Sequence, residues 1–173
     1  MTGTKEPIYD ARSLVKQSNG NAIFVVGNYR LSALGFLGGS RFMSEGGVPN
    51  TGFWDQRAVQ ELIQNHIHLV NGDPNQVSLW GESAGAGSVM HHLTAGGGKM
   101  KALFKRAFVQ SPWNVPKFDP VGNLDQQYFE LGRLLGCTGG NILSCLRKAP
   151  ADELRPAVDQ LVADVPFGQF GFG

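Results

Sequence analysis

Val77-Ser78-Leu79-Trp80-Gly81-Glu82-Ser83-Ala84-Gly85-Ala86-Gly87-Ser88 decides how this chain is read. The apolar run Val77–Trp80 has the length and composition of a short buried strand. From Ala84 to about Leu93 the residues favour a helix, and almost no loop is left between the two. Ser83 therefore falls on a sharp strand-to-helix bend, a place where backbone strain is stored. Side chains two positions away on either side would crowd that bend, which accounts for Gly81 and Gly85. The bend lifts the Ser83 hydroxyl to the start of a helix, where amides point outward and the dipole favours negative charge. The backbone N–H of Ala84 is then placed to donate to an oxyanion. The competing reading is an ordinary helix N-cap, with the Ser83 side chain bonded to the first helical turn.

Gly81-x-Ser83-x-Gly85 fits the Gly-x-Ser-x-Gly pattern of a nucleophile elbow. In so glycine-rich a chain about 0.2 chance matches are expected, so the strand and helix flanks carry the argument. Two phosphate-binding readings fail on residue type. Met90 stands where a dinucleotide-binding loop needs its third glycine. Leu93 and Met100 stand where a phosphate loop needs Gly and Ser/Thr.

Working outward, Ala22–Val26 and Arg106–Gln110 read as two further strands. None of the three alternates, as in a parallel sheet covered on both faces. Ala58, Val59, Leu62, Ile63 and Ile67 have the spacing of an amphipathic helix over 55–69, stopped by Asn71-Gly72-Asp73-Pro74. The order strand, helix, strand, helix, strand predicts an α/β fold with crossover helices and a parallel sheet. Residues 30–51 read as a Gly-rich loop. Further helices are expected over 126–135, 142–148 and 151–163, the last broken near Pro156. The phenylalanines of 165–173 fit neither helix nor strand. The chain reads as one partial domain, with an elbow core over 20–112 and a helical segment over 120–165.

The 173 residues carry 15 basic and 14 acidic side chains, a net charge of +1. No charged block points to nucleic acid or an anionic membrane. The longest apolar run is far too short to span a bilayer. No secretory leader and no Asn-x-Ser/Thr site is found. Cys137 and Cys145 form no zinc-ligand spacing with histidines, and nothing implies a cofactor.

A serine nucleophile needs a histidine base and an orienting acid. After Ser83 only His91 and His92 follow, 8 and 9 residues on along the same helix. That is about 12 Å along the axis, beyond hydrogen-bonding reach. They read as helix-face residues, one of them half-buried. His66 and His68 read as helix-end capping residues. The second oxyanion loop, a His-Gly-Gly-Gly run ahead of the first strand, is not found before Ala22. The expectation is a fold truncated at both ends.

Asn28-Tyr29-Arg30-Leu31, Gly35-Phe36-Leu37, Pro49-Asn50-Thr51-Gly52, Asp55-Gln56-Arg57, Gly72-Asp73-Pro74 and Arg106-Ala107 with Gln110-Ser111 accompany the elbow. Together these resemble the type-B carboxylesterase/lipase family of α/β-hydrolases, which includes cholinesterases, from about Tyr9 to Pro150. The resemblance implies a carboxylic ester hydrolase acting on a small-molecule or lipid ester. Ser83 would be its nucleophile and Ala84 an oxyanion donor. It implies that Glu82 is an acid tuning the pocket, against the alternative of a structural carboxylate at a helix start. It implies a buried Arg30–Asp55 ion pair and a Cys137–Cys145 disulfide, against the alternative of two buried thiols. Compartment stays open; a disulfide would favour an extracellular parent. Leu62-Ile63, Val70-Asn71 and Pro112-Trp113 depart from the family pattern and leave the substrate open. An inactive fragment, or a non-catalytic interaction module of the same fold, is the alternative function.

Overall fold

The computed structural model describes residues 10–113 and 122–163. The expectation for the tail 165–173 lies outside the described residues. Two compact units are found, Met1–Tyr29 with Trp54–Asn114, and Arg30–Phe53 with Val115–Gly173.

In the first unit, α1 (Arg12–Gln17) is followed by residues 21–31, which form no regular element. Helix α4 (Thr51–His66) begins in the other unit and runs into this one. It passes into a 3-10 turn at Ile67–Val70. Then come β1 (Ser78–Glu82), α5 (Ala84–Thr94) and β2 (Arg106–Gln110). The two strands pair in parallel, with Trp80 opposite Phe108 and Glu82 opposite Gln110. Helix α5 makes the crossover and packs on both strands.

The helix stop falls where the sequence puts it. Asn71 takes the left-handed conformation at φ 61°. Gly72 is required because a β-carbon there would sit 3.0 Å from the Ile67 carbonyl and overlap its side chain. His66 is the last residue of α4, its side chain making no cap bond to the 3-10 turn that follows, and His68 lies in that turn. Both are exposed at the end of the helix.

Three expectations are corrected here. Ala22–Val26 is not a strand among the described residues, because a strand needs a ladder partner and this run has none. Its side chains stay open, with Ile23 48% and Val26 51% exposed. The sheet is not buried on both faces. Trp80 and Phe108 stack at 4.4 Å yet remain about half exposed, since two strands and one helix cannot enclose them. The inward face of α4 is only partly the apolar one, with Val59 and Ile63 part-buried, as is Ile67 in the turn beyond. Ala58 and Leu62 face outward, and Gln60 is buried. Gln56, Gln60 and Gln64 repeat every four residues, which puts them on one face. The Gln64 amide donates to the carbonyls of Pro74 (2.8 Å) and Leu103 (2.9 Å), tying α4 to the approaches of both strands.

The second unit holds the larger apolar core. Two short helices, α2 (Ser32–Phe36) and α3 (Ser40–Ser44), occupy the expected loop. They are followed by α6 (Asn123–Leu134), α7 (Ile142–Leu146) and α8 (Ala151–Ala163). Phe42, Tyr128, Leu131, Ile142, Leu146 and Val158 are buried together. Helix α8 continues through Pro156 without the expected break. The proline ring removes the bond to the Asp152 carbonyl and crowds that carbonyl, yet the helix is not interrupted. Glu45 binds the unit together. Its carboxylate accepts from Tyr128 Oη (2.9 Å), the Leu143 N–H (2.9 Å) and Arg41 Nε (2.6 Å). Burial pushes the Glu45 pKa up, but these three donors outweigh it and hold the carboxyl below the usual glutamate range. Cys137 and Cys145 form a disulfide with Cα atoms 5.7 Å apart. In the loop-entropy account so short a closure contributes about 2–3 kcal/mol.

Candidate active site at the elbow

Ser83 belongs to neither β1 nor α5 and is part-exposed. Its backbone stands at φ 54°, ψ −119°, a region that side-chain-bearing residues rarely adopt and that costs about 1–3 kcal/mol. The Ser83 side chain makes no cap bond to the helix. An N-cap serine would have extended backbone and a bonded hydroxyl, so the ordinary capping reading is excluded on both counts.

The two flanking glycines do different jobs. A β-carbon on Gly81 would overlap the Gly85 carbonyl and lie 2.6 Å from the Ala86 nitrogen. A β-carbon on Gly85 would meet nothing within 4 Å. The expectation that crowding requires both is therefore corrected. The start of the helix presses its backbone onto the strand at Gly81, while Gly85 turns its own β-position into open space.

The first helical hydrogen bond runs from the Gly87 N–H to the Ser83 carbonyl at 3.0 Å. The amides of Ala84, Gly85 and Ala86 precede it, and helix geometry provides no acceptor for them. No carboxylate occupies the first turn of α5. Such a bend can present a hydroxyl nucleophile beside amides that stabilise an oxyanion. Glu82 is the last residue of β1, exposed and next to the serine.

Further along α5, His92 is buried and His91 exposed. His92 Nε2 lies 3.1 Å from Gln56 Oε1. A carbonyl oxygen only accepts, so Nε2 carries the proton of the neutral ring. The Gln56 amide donates to Ser88 Oγ (3.2 Å), and Ser88 donates to the Ala84 carbonyl (3.1 Å). Burial, then the charges of Arg57 and His91, push the His92 pKa down to about 4. His92 is thus a neutral residue joining α4 to α5, nine residues along the helix from Ser83. The apolar spacing of α4 does not signal the glutamine stripe. Gln56, Gln60 and Gln64 at four-residue spacing were the available signal. Arg30 stands just ahead of α2 and Asp55 lies in α4. The two cysteines are brought together.

A strained serine between a parallel strand and the helix it feeds has the geometry expected of a nucleophile elbow, and solved esterases are among the structures this chain resembles. Aspergillus niger EstA superposes with a TM-score of 0.79 at 32% identity, over 86% of this chain and 29% of that one. A thermophilic PNB esterase does so at 0.82 and 28% identity, over 99% of this chain and 34% of that one. A secreted lipase of Arthroderma benhamiae is 47% identical over 150 residues, 87% of this chain and 29% of that protein. Carboxylesterase patB of Aspergillus clavatus is 39% identical over 159 residues, 91% of this chain and 28% of that protein. The model of the carboxylesterase family matches residues 1–173, and the chain belongs to that family. It spans under a third of the length of these curated relatives. Among the described residues no helix is long and apolar enough to cross a membrane.

Proposed function

We propose that these residues supply the nucleophile of a serine carboxylic ester hydrolase. The Ser83 hydroxyl gives its proton to a base as the oxygen attacks the ester carbonyl. The tetrahedral oxyanion is held by the Ala84 N–H. Collapse breaks the ester C–O bond, and the protonated base returns its proton to the departing alcohol. Water then cleaves the acyl-serine by the same route in reverse. The base and its orienting acid come from outside residues 1–173, so residues 1–173 alone hydrolyse esters poorly or not at all. Glu82 tunes the pocket beside the nucleophile, and Arg30 with Asp55 forms a structural ion pair. The two compact units are parts of one hydrolase domain. The substrate is a small-molecule or lipid ester, and the Cys137–Cys145 disulfide supports an extracellular setting.

The observation that carries this reading is the Ser83 backbone at φ 54°, ψ −119°, with no side-chain cap bond. The test is hydrolysis of p-nitrophenyl esters by the whole protein and by its Ser83→Ala variant. The variant is expected to lose activity by about 10⁴-fold or more. Equal rates in the two proteins would contradict the proposal, and no hydrolysis by either would favour the non-catalytic reading.

A further inference from the structure

Both backbone polar groups of Ser83 are engaged by the end of β2 and the bend that follows it. The Ser83 N–H donates to the Gln110 carbonyl at 2.9 Å, and the Ser83 carbonyl accepts from the Trp113 N–H at 3.1 Å. Gln110 closes β2, and the chain reverses at once through Ser111 at φ 44°. Two non-glycine residues with left-handed φ, Ser83 and Ser111, therefore lie on adjoining bends joined by these bonds. Pro112 has no N–H and a fixed φ, so the donor of this turn beyond Ser111 is the Trp113 amide.

A serine at positive φ can relax to the extended conformation of an ordinary N-cap, with its hydroxyl folded onto the helix. That relaxation rotates the Ser83 peptide planes. The Gln110 carbonyl pins the peptide plane entering Ser83, and the Trp113 N–H, sharing the Ser83 carbonyl with the Gly87 N–H, pins the plane leaving it. With the planes on both sides of Ser83 held, its φ and ψ are restrained, and the helix bond from Gly87 alone holds only the outgoing plane.

We propose that the turn Gln110–Trp113 is a positioning element for the reaction. The Gln110 carbonyl and the Trp113 N–H hold Ser83 in its strained conformer, and the reactivity of the hydroxyl depends on that grip. The inference rests on Ser83 being the nucleophile. It assigns Gln110 and Trp113 no contact with substrate, since they act through the serine backbone.

Amide-to-ester replacement in the whole protein is the test. The hydroxy-acid analogue of tryptophan at position 113 deletes only the N–H that bonds Ser83. The hydroxy-acid analogue of serine at position 83 keeps the hydroxyl and deletes only the N–H that bonds Gln110. Each replacement is expected to lower kcat for a p-nitrophenyl ester by about tenfold, with KM within about twofold and the melting midpoint moved by only a few degrees. Two sites are probed so that one reports should the other fail to fold. A folded variant at either site whose kcat stays within about twofold of wild type overturns the proposal. If the unmodified protein shows no Ser83-dependent hydrolysis, the nucleophile reading fails first and this inference with it.

Discussion

Gly81 presses against the Gly85 carbonyl so closely that a β-carbon at 81 has no room, while a β-carbon at 85 meets nothing within 4 Å. The elbow is asymmetric. The strand side of the bend is fixed by contact, and the helix side by amides that must stay open.

Unequal effects of the same substitution follow. Gly81→Ala is expected to destabilise the protein by about 3 kcal/mol, the upper range for overpacking against backbone that cannot yield. Gly85→Ala gains helix propensity in α5 and is expected to fall within about 1 kcal/mol of wild type. Thermal melting of the two variants checks this. Equal destabilisation would show that the crowding is mutual.

Gln60 carries a second expectation. It is 4% exposed, its Oε1 has no hydrogen-bond partner, and its amide makes only a 3.4 Å bond to the Gln56 carbonyl. Removing a buried, poorly satisfied amide relieves a desolvation cost. Gln60→Met, of similar length, is expected to raise stability by about 1 kcal/mol in denaturant unfolding. A loss of that size would mean that the amide makes bonds beyond this one.

His92 sets an acid limit. Its folded pKa of about 4 lies below the ordinary 6.5, so between those values the unfolded chain binds more protons than the folded one. The stability contributed by the neutral ring is complete above pH 6.5 and is lost as pH falls through 4. The charged groups facing the ring are Arg57 and His91, and both oppose its protonation. His92→Gln is expected to flatten the fall in melting midpoint between pH 6.5 and 4, an effect on the order of 3 kcal/mol in full. An unchanged acid profile would place the sensitivity elsewhere, with Glu45 the next group to examine.

Much of this was legible in the sequence where local chemistry decides the outcome. The Gly81–Gly85 bend, the Asn71–Pro74 stop and the span of α5 follow from residue types at fixed spacing. Ala22–Val26 was not, because a strand exists only with a hydrogen-bonded neighbour, and composition does not reveal one. Helices α2 and α3 are five residues each, too short for a 3.6-residue period to register. On α4 the apolar pattern named Ala58 and Leu62, but tertiary hydrogen bonds turned the glutamines inward. The strain at Ser83 was readable as a need for glycine beside it; the bonds from Gln110 and Trp113 that hold it join residues about 30 positions apart and needed coordinates.

Covalent labelling tests the central claim most directly. The whole protein, incubated with an organophosphonate and digested, is expected to give a single phosphonyl adduct on the peptide carrying Gly81–Gly85, located on Ser83 by fragmentation mass spectrometry, and Ser83→Ala is expected to give none. A protein that stays folded and unlabelled, or one labelled at another serine, would contradict the account.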